Sequence, residues 1–125
     1  MAMVLTLKAY GELLRFEILH RFGGFKKVYQ SVRNTQVVAI PDQPEIVVQV
    51  CEAVTLAGCF FWKPVLCFPR AVATTRLLRR HGVKAEMVIG YRPAPFFSHA
   101  WVEVDGKIVN DSPEYQKRLL VLDRL

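Results

Sequence analysis

The stretch PVLCFPRAVATTRLLRRHG, residues 64 to 82, decides the fold because it predicts where a central helix begins and ends. Pro69 is tolerated in a first turn, whose N–H groups have no partner within the helix, and Gly82 favours a C-terminal stop. Positive charge near a helix C-terminus complements the dipole. The basic residues of the last turns are Arg76, Arg79, Arg80 and His81. We predict a helix that starts at Cys67 and whose basic end mainly stabilises its own dipole.

The sequence before this stretch predicts two further helices. Residues 3 to 30 have helical apolar spacing, and the Gly23-Gly24 pair should break or weaken that helix. The stretch from Ser31 to Pro44 contains two prolines and is interpreted as a connection. PEIVVQVCEAVTLAGCFFW, residues 44 to 62, has a proline suited to a first turn and apolar residues nearly all round. We predict a buried helix that ends near Trp62.

The sequence after Gly82 changes to the alternating period of strands. The strand-like segments are AEMVIGY (85–91), SHAWVEV (98–104) and KIVND (107–111). LLVLDRL, residues 119 to 125, suits either a fourth strand or a terminal helix. The predicted fold class is therefore α+β, with N-terminal helices followed by a small antiparallel sheet. We expect one domain over residues 1–125, with a helical part at 1–62 and the remaining core at 63–125.

The composition indicates an ordered protein that attracts acidic partners. The chain has 125 residues, 52% of them hydrophobic, a formal net charge of +6 and a pI near 9.5. No segment alternates basic and aromatic residues as nucleic-acid binders do, so nucleic acid is not the expected partner. The longest apolar run is far below the roughly 20 residues of a membrane span. No signal peptide is recognised, and a cytoplasmic location is expected.

The three cysteines, Cys51, Cys59 and Cys67, favour a special role for at most one of them. An odd number argues against a disulfide framework, and their spacing lacks the close pairs of a zinc site, so we predict neither metal nor cofactor. Cys67 stands at a helix start, where the dipole and free N–H groups favour a thiolate and can receive an oxyanion. The alternative is a free cysteine that fills the core.

A nucleophilic cysteine needs a base, and the histidines are His20, His81 and His99. His20 lies in the first helix, and His81 lies at the far end of the helix of Cys67, roughly 20 Å away at 1.5 Å per residue. His99, on a predicted strand, is the candidate base, with a packed strand histidine as the alternative. Asp111 is the candidate third group, which would orient the imidazole; the alternative is that it only forms a turn.

The turn between the second and third predicted strands decides whether His99 meets Asp111. With a two-residue turn at Asp105-Gly106, Val104 pairs with Lys107 and His99 points away from Asp111. With a three-residue loop ending at the glycine, the pairs move by one and His99 falls opposite Asp111. That second register also matches opposite charges and apolar residues across the strands, so we predict it.

Three more side chains belong near this arrangement. Trp101 follows His99 by two residues and shares its face, where it shields the imidazole or simply fills the core. Arg70 and Lys63 either add positive potential near the thiol or are solvated.

The run VLCFPRAVATTRLLRRHGVKAEMVIGYRPAPFFSHAWVEVDGKIVND resembles the stand-alone leader peptidases of lasso-peptide biosynthesis, in the transglutaminase-like cysteine protease superfamily. The resemblance covers about residues 60 to 112. Three motifs carry it. The first is a cysteine followed by an arginine and a helix that ends LLRR-x-G, the second is HAWVE, and the third is V-x-ND. The resemblance implies a papain/transglutaminase-like core in which Cys67 is the nucleophile, His99 the base and Asp111 the orienting acid.

The resemblance also implies a substrate and partners. Such an enzyme, a cysteine protease, removes the leader from a ribosomally synthesised precursor peptide, and a separate ATP-dependent cyclase closes the core. A small companion protein that recognises the leader is expected, since the chain looks too short to contain that module.

Ala71 departs from the serine that relatives often carry. No side-chain oxyanion donor of the family is matched in this sequence, so we expect the Cys67 N–H to be the donor, with Gln49 as the side-chain candidate. The alternatives are a non-catalytic basic peptide-binding module and an acyl transferase.

Overall fold

The computed structural model describes residues 2–38 and 45–125. Four helices and four strands follow one another within these ranges. In chain order they are α1 (Ala2–Asn34), α2 (Glu45–Cys59), α3 (Cys67–Arg80), β1 (Ala85–Pro93), β2 (Phe96–Val104), β3 (Lys107–Ile108), α4 (Glu114–Arg118) and β4 (Leu120–Arg124). The predicted α+β class is confirmed, and LLVLDRL contributes a strand.

Helix α1 is kinked at the predicted glycine pair. Gly24 has φ 69° and ψ −168°, a left-handed backbone that favours glycine and separates two helical halves. The second half continues to Asn34, so the prediction of a connection from Ser31 is wrong for its first four residues. The predicted helix start at Pro44 lies outside the described residues.

Helix α2 ends earlier and is less buried than predicted. It ends at Cys59 rather than near Trp62, and its side chains at Val48 and Leu56 are exposed. The helix packs against α1 and α3 along a single stripe. The residues buried in that stripe are Ile46, Val50, Ala53, Val54 and Ala57. Their spacing of three and four explains why the opposite face stays exposed although it is also apolar.

Helix α3 is the central element. It begins at Cys67 as predicted, ends at Arg80, and is followed by Gly82 in a left-handed conformation with φ 82°. The residues from Ala71 to Arg79 are all buried, because α1 and α2 pack on one side of α3 and strands β1 and β2 on the other. One buried cluster includes residues of the helices and of the sheet. The single-domain organisation itself stays a prediction.

The basic end of α3 does more than complement its dipole, so that prediction is wrong. Arg76 is buried, and its Nε donates to Glu12 of α1 at 2.6 Å. Its Nη1 donates to the hydroxyl groups of Ser31 and Thr35. Arg79 is buried too, and donates to backbone carbonyl groups. These belong to Val32, Ala85 and Leu125, at 2.6, 2.9 and 2.6 Å. A buried guanidinium needs such partners because it has lost its water.

The sheet is antiparallel, with strand order β3-β2-β1-β4. One face packs on the helices, and its buried residues include Met87 of β1 and Val102 of β2. The other face holds a small cluster of Val88, Trp101 and Leu119. None of the described helices is long and apolar enough to cross a membrane.

The turn between β2 and β3 contradicts the predicted register. Val104 pairs with Lys107, so the turn has two residues, Asp105 with φ 53° and Gly106 with φ 78°. Positive φ at both positions suits the two-residue Asp-Gly hairpin turn, whose twist matches that of the strands. The three-residue loop is therefore wrong. Strand β3 is also shorter than predicted, since it ends at Ile108.

Candidate active site

Cys67 occupies the first position of α3, at an end that is open to a ligand. Leu66 precedes it with an extended backbone, and no side chain of the described residues caps this end by a hydrogen bond. The backbone N–H of Arg70, which bonds to the Leu66 carbonyl at 3.1 Å, closes the first turn. The N–H groups of Cys67 and Phe68 precede that bond, and such groups favour an anion or a developing oxyanion.

Cys67 and His99 line the same cavity, which we call the thiol cavity. Its volume is about 390 Å³, and it is bounded by α1, α3 and three strands of the sheet. Aromatic and aliphatic side chains form most of its wall. The lining residues are Phe25, Tyr29, Cys67, Phe68, Ile89, Tyr91, Phe96, Ser98, His99, Ala100 and Leu122.

His99 is hydrogen-bonded to Asp111, with 2.7 Å between Nε2 and Oδ2. The structure thus brings the two together in the register that was expected to keep them apart. The ladder explains this result, because it stops before Asp111. The Val109 N–H still donates to the Val102 carbonyl, but the Val102 N–H donates to the side-chain oxygen of Asn110. Asn110 therefore ends the pairing and frees the chain to place Asp111 beside His99.

Arg70 contacts the same carboxylate oxygen. Its Nη2 lies 3.2 Å from Asp111 Oδ2, so the helix that carries Cys67 is tied directly to the acid. The sequence offered only a general positive potential for Arg70, because its partner lies 41 residues away. Lys63 instead pairs with Glu17 of α1 at 3.2 Å. Of the two predicted cations, Arg70 is the one that belongs to the site.

Two aromatic rings flank the imidazole. Tyr115 of α4 stacks on His99 with 3.9 Å between ring centroids, whereas Trp101 lies at 6.4 Å. Trp101 is fully buried, and its Nε1 donates to Glu103 at 2.8 Å. Tyr115 was missed in the sequence, since only the tertiary fold returns this short helix to β2. The ring that covers His99 is thus Tyr115, and the centroid of Trp101 lies about equally far from both rings, at 6.4 and 6.3 Å.

Gly90 explains how Trp101 fits beside His99. Gly90 pairs with His99 across β1 and β2, and a β-carbon at this position would lie 2.5 Å from Cη2 of Trp101. Glycine inside a strand often marks a close approach of another group to the backbone, so the glycine in AEMVIGY is a sequence signal for this contact.

The remaining candidates lie away from the thiol cavity. All three cysteines lie in the described part of the chain and are free thiols. Burial, and then the charge of Glu52, raises the pKa of Cys51 to about 11, and its thiol donates to the Val109 carbonyl at 3.5 Å. Cys59 and Gln49 are exposed on α2, outside the cavity wall. Gln49 is therefore not supported as an oxyanion donor.

Comparisons with known proteins identify the family of the chain. The sequence model of a family described as the transglutaminase-like superfamily matches residues 12–124. The microcin J25-processing protein McjB of Escherichia coli is 41% identical over 56 residues, which are 45% of this chain and 27% of that protein. The chain thus spans about a quarter of the length of this relative. No solved structure matches the chain significantly.

Proposed function

The chain belongs to the transglutaminase-like superfamily, and on that premise we propose that it is a cysteine endopeptidase. In this proposal Cys67 is the nucleophile, His99 the general base and Asp111 the group that orients the imidazole. One observation carries the proposal. His99 is held by Asp111 at 2.7 Å while it lines the same cavity as Cys67.

The hydrogen bond at Nε2 supports a definite role for each imidazole nitrogen. A carboxylate accepts a hydrogen bond from the N–H at Nε2, and this favours the neutral tautomer that carries its proton there. Nδ1 of His99 is then the nitrogen that takes the proton of the Cys67 thiol. Arg70 and Tyr115 would hold Asp111 and the imidazole in this orientation.

The reaction follows in two steps. The Cys67 thiolate attacks the scissile carbonyl, and the N–H groups at the start of α3 stabilise the oxyanion. The C–N bond breaks, and the amine leaves with the proton from His99, so that the acyl half remains as a thioester. Water then gives a proton to His99 and attacks the thioester carbon, which releases the acid and restores the thiolate.

The substrate we propose is a ribosomally synthesised precursor peptide, cut between leader and core during lasso-peptide maturation. The HAWVE and V-x-ND motifs support this, as does the similarity to a protein named for processing microcin J25. A companion protein would present the leader, and an ATP-dependent cyclase would join the freed core amine to an acidic side chain. We place this reaction in the cytoplasm.

Cleavage of a real precursor tests the proposal. The protein is mixed with the precursor peptide encoded beside its gene and with any companion protein encoded there, and the products are weighed by mass spectrometry. We expect leader and core from the unaltered protein and from Cys59→Ala, and neither from Cys67→Ala. Undiminished cleavage by Cys67→Ala would refute the mechanism. An added amine that appears in the product would instead indicate acyl transfer through the same thioester.

A second candidate function, peptide binding without catalysis, is supported by a basic cavity of about 400 Å³ between α1 and α3. Lys8, Arg15 and Arg80 line it with His81, whose pKa is lowered by burial and by the charge of Lys8. Glu12 lines it too and pairs with Arg80, so Lys8 and Arg15 supply the excess positive charge. Such a cavity attracts an acidic leader. Salt-sensitive leader binding by Cys67→Ala, without any cleavage by the unaltered protein, would favour this candidate.

A further inference from the structure

The wall of the thiol cavity beside Cys67 is built from packed aromatic rings. Phe68, the residue after the cysteine, contacts the rings of Phe16, Phe25 and Tyr29, with centroids 5.6, 5.3 and 6.0 Å away. Phe16 lies before the kink of α1, whereas Phe25 and Tyr29 follow it. Phe68 is half-buried among these rings whereas Phe25 is 59% exposed, so the wall is packed at its base and open at its rim.

The kink of α1 explains the position of this wall. Gly24 turns the chain immediately before Phe25, so the second half of the helix sets out in a new direction. Phe25 and Tyr29 are four residues apart and therefore share one helical face. That face meets Phe68 and the cavity. The Gly23-Gly24 pair, which the sequence presents only as a weak point, thus helps to shape the space beside the nucleophile.

A β-bulge supplies a side chain to the other side of the cavity. Ile89 of β1 pairs with Asp123, whereas the next residue, Gly90, pairs with Val121. Leu122 is therefore the extra residue on β4, and it lines the thiol cavity. Bulges redirect side chains and are frequent next to active sites.

The side chains that form the wall indicate which kind of substrate side chain the cavity accepts. Apart from His99, none of the described residues that line the thiol cavity has a side chain that is ordinarily charged. A charged substrate side chain would lose part of its water there without gaining a partner, whereas an apolar one would gain contacts. The volume of about 390 Å³ is near the lower end of the roughly 300–1,000 Å³ of ligand pockets, which suits one large side chain with nearby backbone.

We propose that the thiol cavity is a specificity subsite for a bulky apolar side chain, aromatic or branched, on one of the two residues that precede the scissile bond. The inference rests on the proposed function, since it assigns a substrate to the same thiol. The acyl half is the half that stays bonded to Cys67, so its side chains lie nearest to Phe68 and the aromatic wall. Phe25, Tyr29 and Leu122 are then specificity-determining residues rather than catalytic ones.

Peptidyl chloromethyl ketones test the subsite without requiring turnover. The thiolate displaces chloride from these probes and forms a thioether, which peptide mapping by mass spectrometry assigns to one cysteine. Two series of probes are used. In the first, the residue next to the ketone is Gly, Leu, Phe or Glu and the residue before it is Ala. In the second, the two positions are exchanged. Cys59, which is exposed, serves as the internal control.

We expect one series to label Cys67 with Leu or Phe roughly tenfold faster than with Gly, and Glu to be slowest. Cys59 should show little preference among the same probes. If Cys67 ranks the probes in both series as Cys59 does, the subsite is wrong. If the probe preference holds but no precursor is cleaved, the proposed function fails while the subsite stands. If precursor is cleaved but the probes show no preference at Cys67, the proposed function stands and the subsite is wrong.

A matched pair of variants on β4 sharpens the test. Leu122→Trp should fill the cavity and remove most of the advantage of the Phe probe at Cys67. Leu120→Trp is its control, because Leu120 has a similar exposure, 58% against 63%, and is not part of the cavity wall. Circular dichroism checks that both variants fold. Equal Phe-to-Gly ratios in the two variants would contradict the assignment of Leu122 to the subsite.

Discussion

The two ends of α3 are held in opposite ways. At the C-terminal end, the buried guanidinium groups of Arg76 and Arg79 bind α1, β1 and the C-terminal residue. At the N-terminal end, Cys67 faces a cavity, and Arg70 alone among the described arginines ties its turn to Asp111. The difference indicates a division of labour within one helix. The far end fixes the position of the helix, and the near end is left open for chemistry.

Asp111→Asn should produce the largest effect, because it acts on the open end. Under the proposed function, the amide no longer favours the Nε2–H tautomer of His99, and kcat/KM for precursor cleavage should fall roughly 10³–10⁴-fold. The free energy of unfolding should change by less than about 2 kcal/mol, since the carboxylate is not deeply buried. Cleavage assays and urea unfolding measure the two quantities.

The matched control for this change is Asp123→Asn, which removes a partly exposed carboxylate paired with Arg33 on the surface. Its cleavage rate should stay close to that of the unaltered protein. If the two variants cleave at the same rate, Asp111 does not orient the base, and the open end of α3 loses its proposed role.

Arg76→Met should produce the next largest effect, and on stability. It leaves the carboxylate of Glu12, which is 6% exposed, without its closest partner. Removing one member of a buried ion pair costs about 3–5 kcal/mol of unfolding free energy. The control Arg80→Met removes a side chain that is 56% exposed and also pairs with Glu12, and should cost less than about 1 kcal/mol. Similar urea midpoints for both variants would show that the C-terminal end is not the anchor.

The features of α3 that the sequence predicts are those set by local chemistry. The start at Cys67 follows from Lys63-Pro64 and Pro69, and the end follows from Gly82. The roles of Arg76 and Arg79 could not be predicted in this way. Their partners lie up to 64 residues away, and the dipole argument treats both side chains as solvated.

The contact between His99 and Asp111 does not depend on the strand register that predicts it. The structure brings Cys67, His99 and Asp111 into one region, but the two-residue turn excludes the register from which the sequence predicted the contact of His99 with Asp111. Strand pairing rules assume that a ladder continues, and Asn110 stops it with its side chain. Tyr115 was missed because a stacking partner from another element leaves no spacing signal in the sequence.

Gly90→Ala tests whether the sheet beside the open end is as tightly packed as the anchored end. The new methyl group would lie 2.5 Å from the buried ring of Trp101, so one of them must move. We expect a loss of about 1–3 kcal/mol in unfolding free energy. The control Gly11→Ala adds a methyl group in open space on α1 and should stabilise the protein by up to about 1 kcal/mol. A Gly90→Ala protein as stable as the unaltered one would mean that Trp101 is free to shift.

The smallest effect concerns Glu103, which accepts the hydrogen bond of Trp101. Burial alone would raise the pKa of Glu103, but hydrogen bonds from Trp101, Gln116 and Arg124, with the charge of Arg124, lower it below its ordinary value. A carboxyl group with a lowered pKa stabilises the fold above its ordinary pKa, and this contribution is lost as the pH falls through the folded value. The effect is limited because Arg124 is 47% exposed and solvent screens its charge.

Acid should therefore weaken the face of the sheet on which Glu103 binds Trp101 and Arg124, while the arginine side chains that anchor α3 keep their charge. Trp62→Phe leaves Trp101 as the single tryptophan, so fluorescence during urea unfolding follows the residue bound to Glu103. Glu103→Gln keeps an acceptor for the indole but does not titrate. Below the ordinary pKa of 4.5, stability should fall more steeply with Glu103 than with the glutamine. Parallel curves for the two proteins would mean that the carboxylate of Glu103 does not stabilise this face of the sheet.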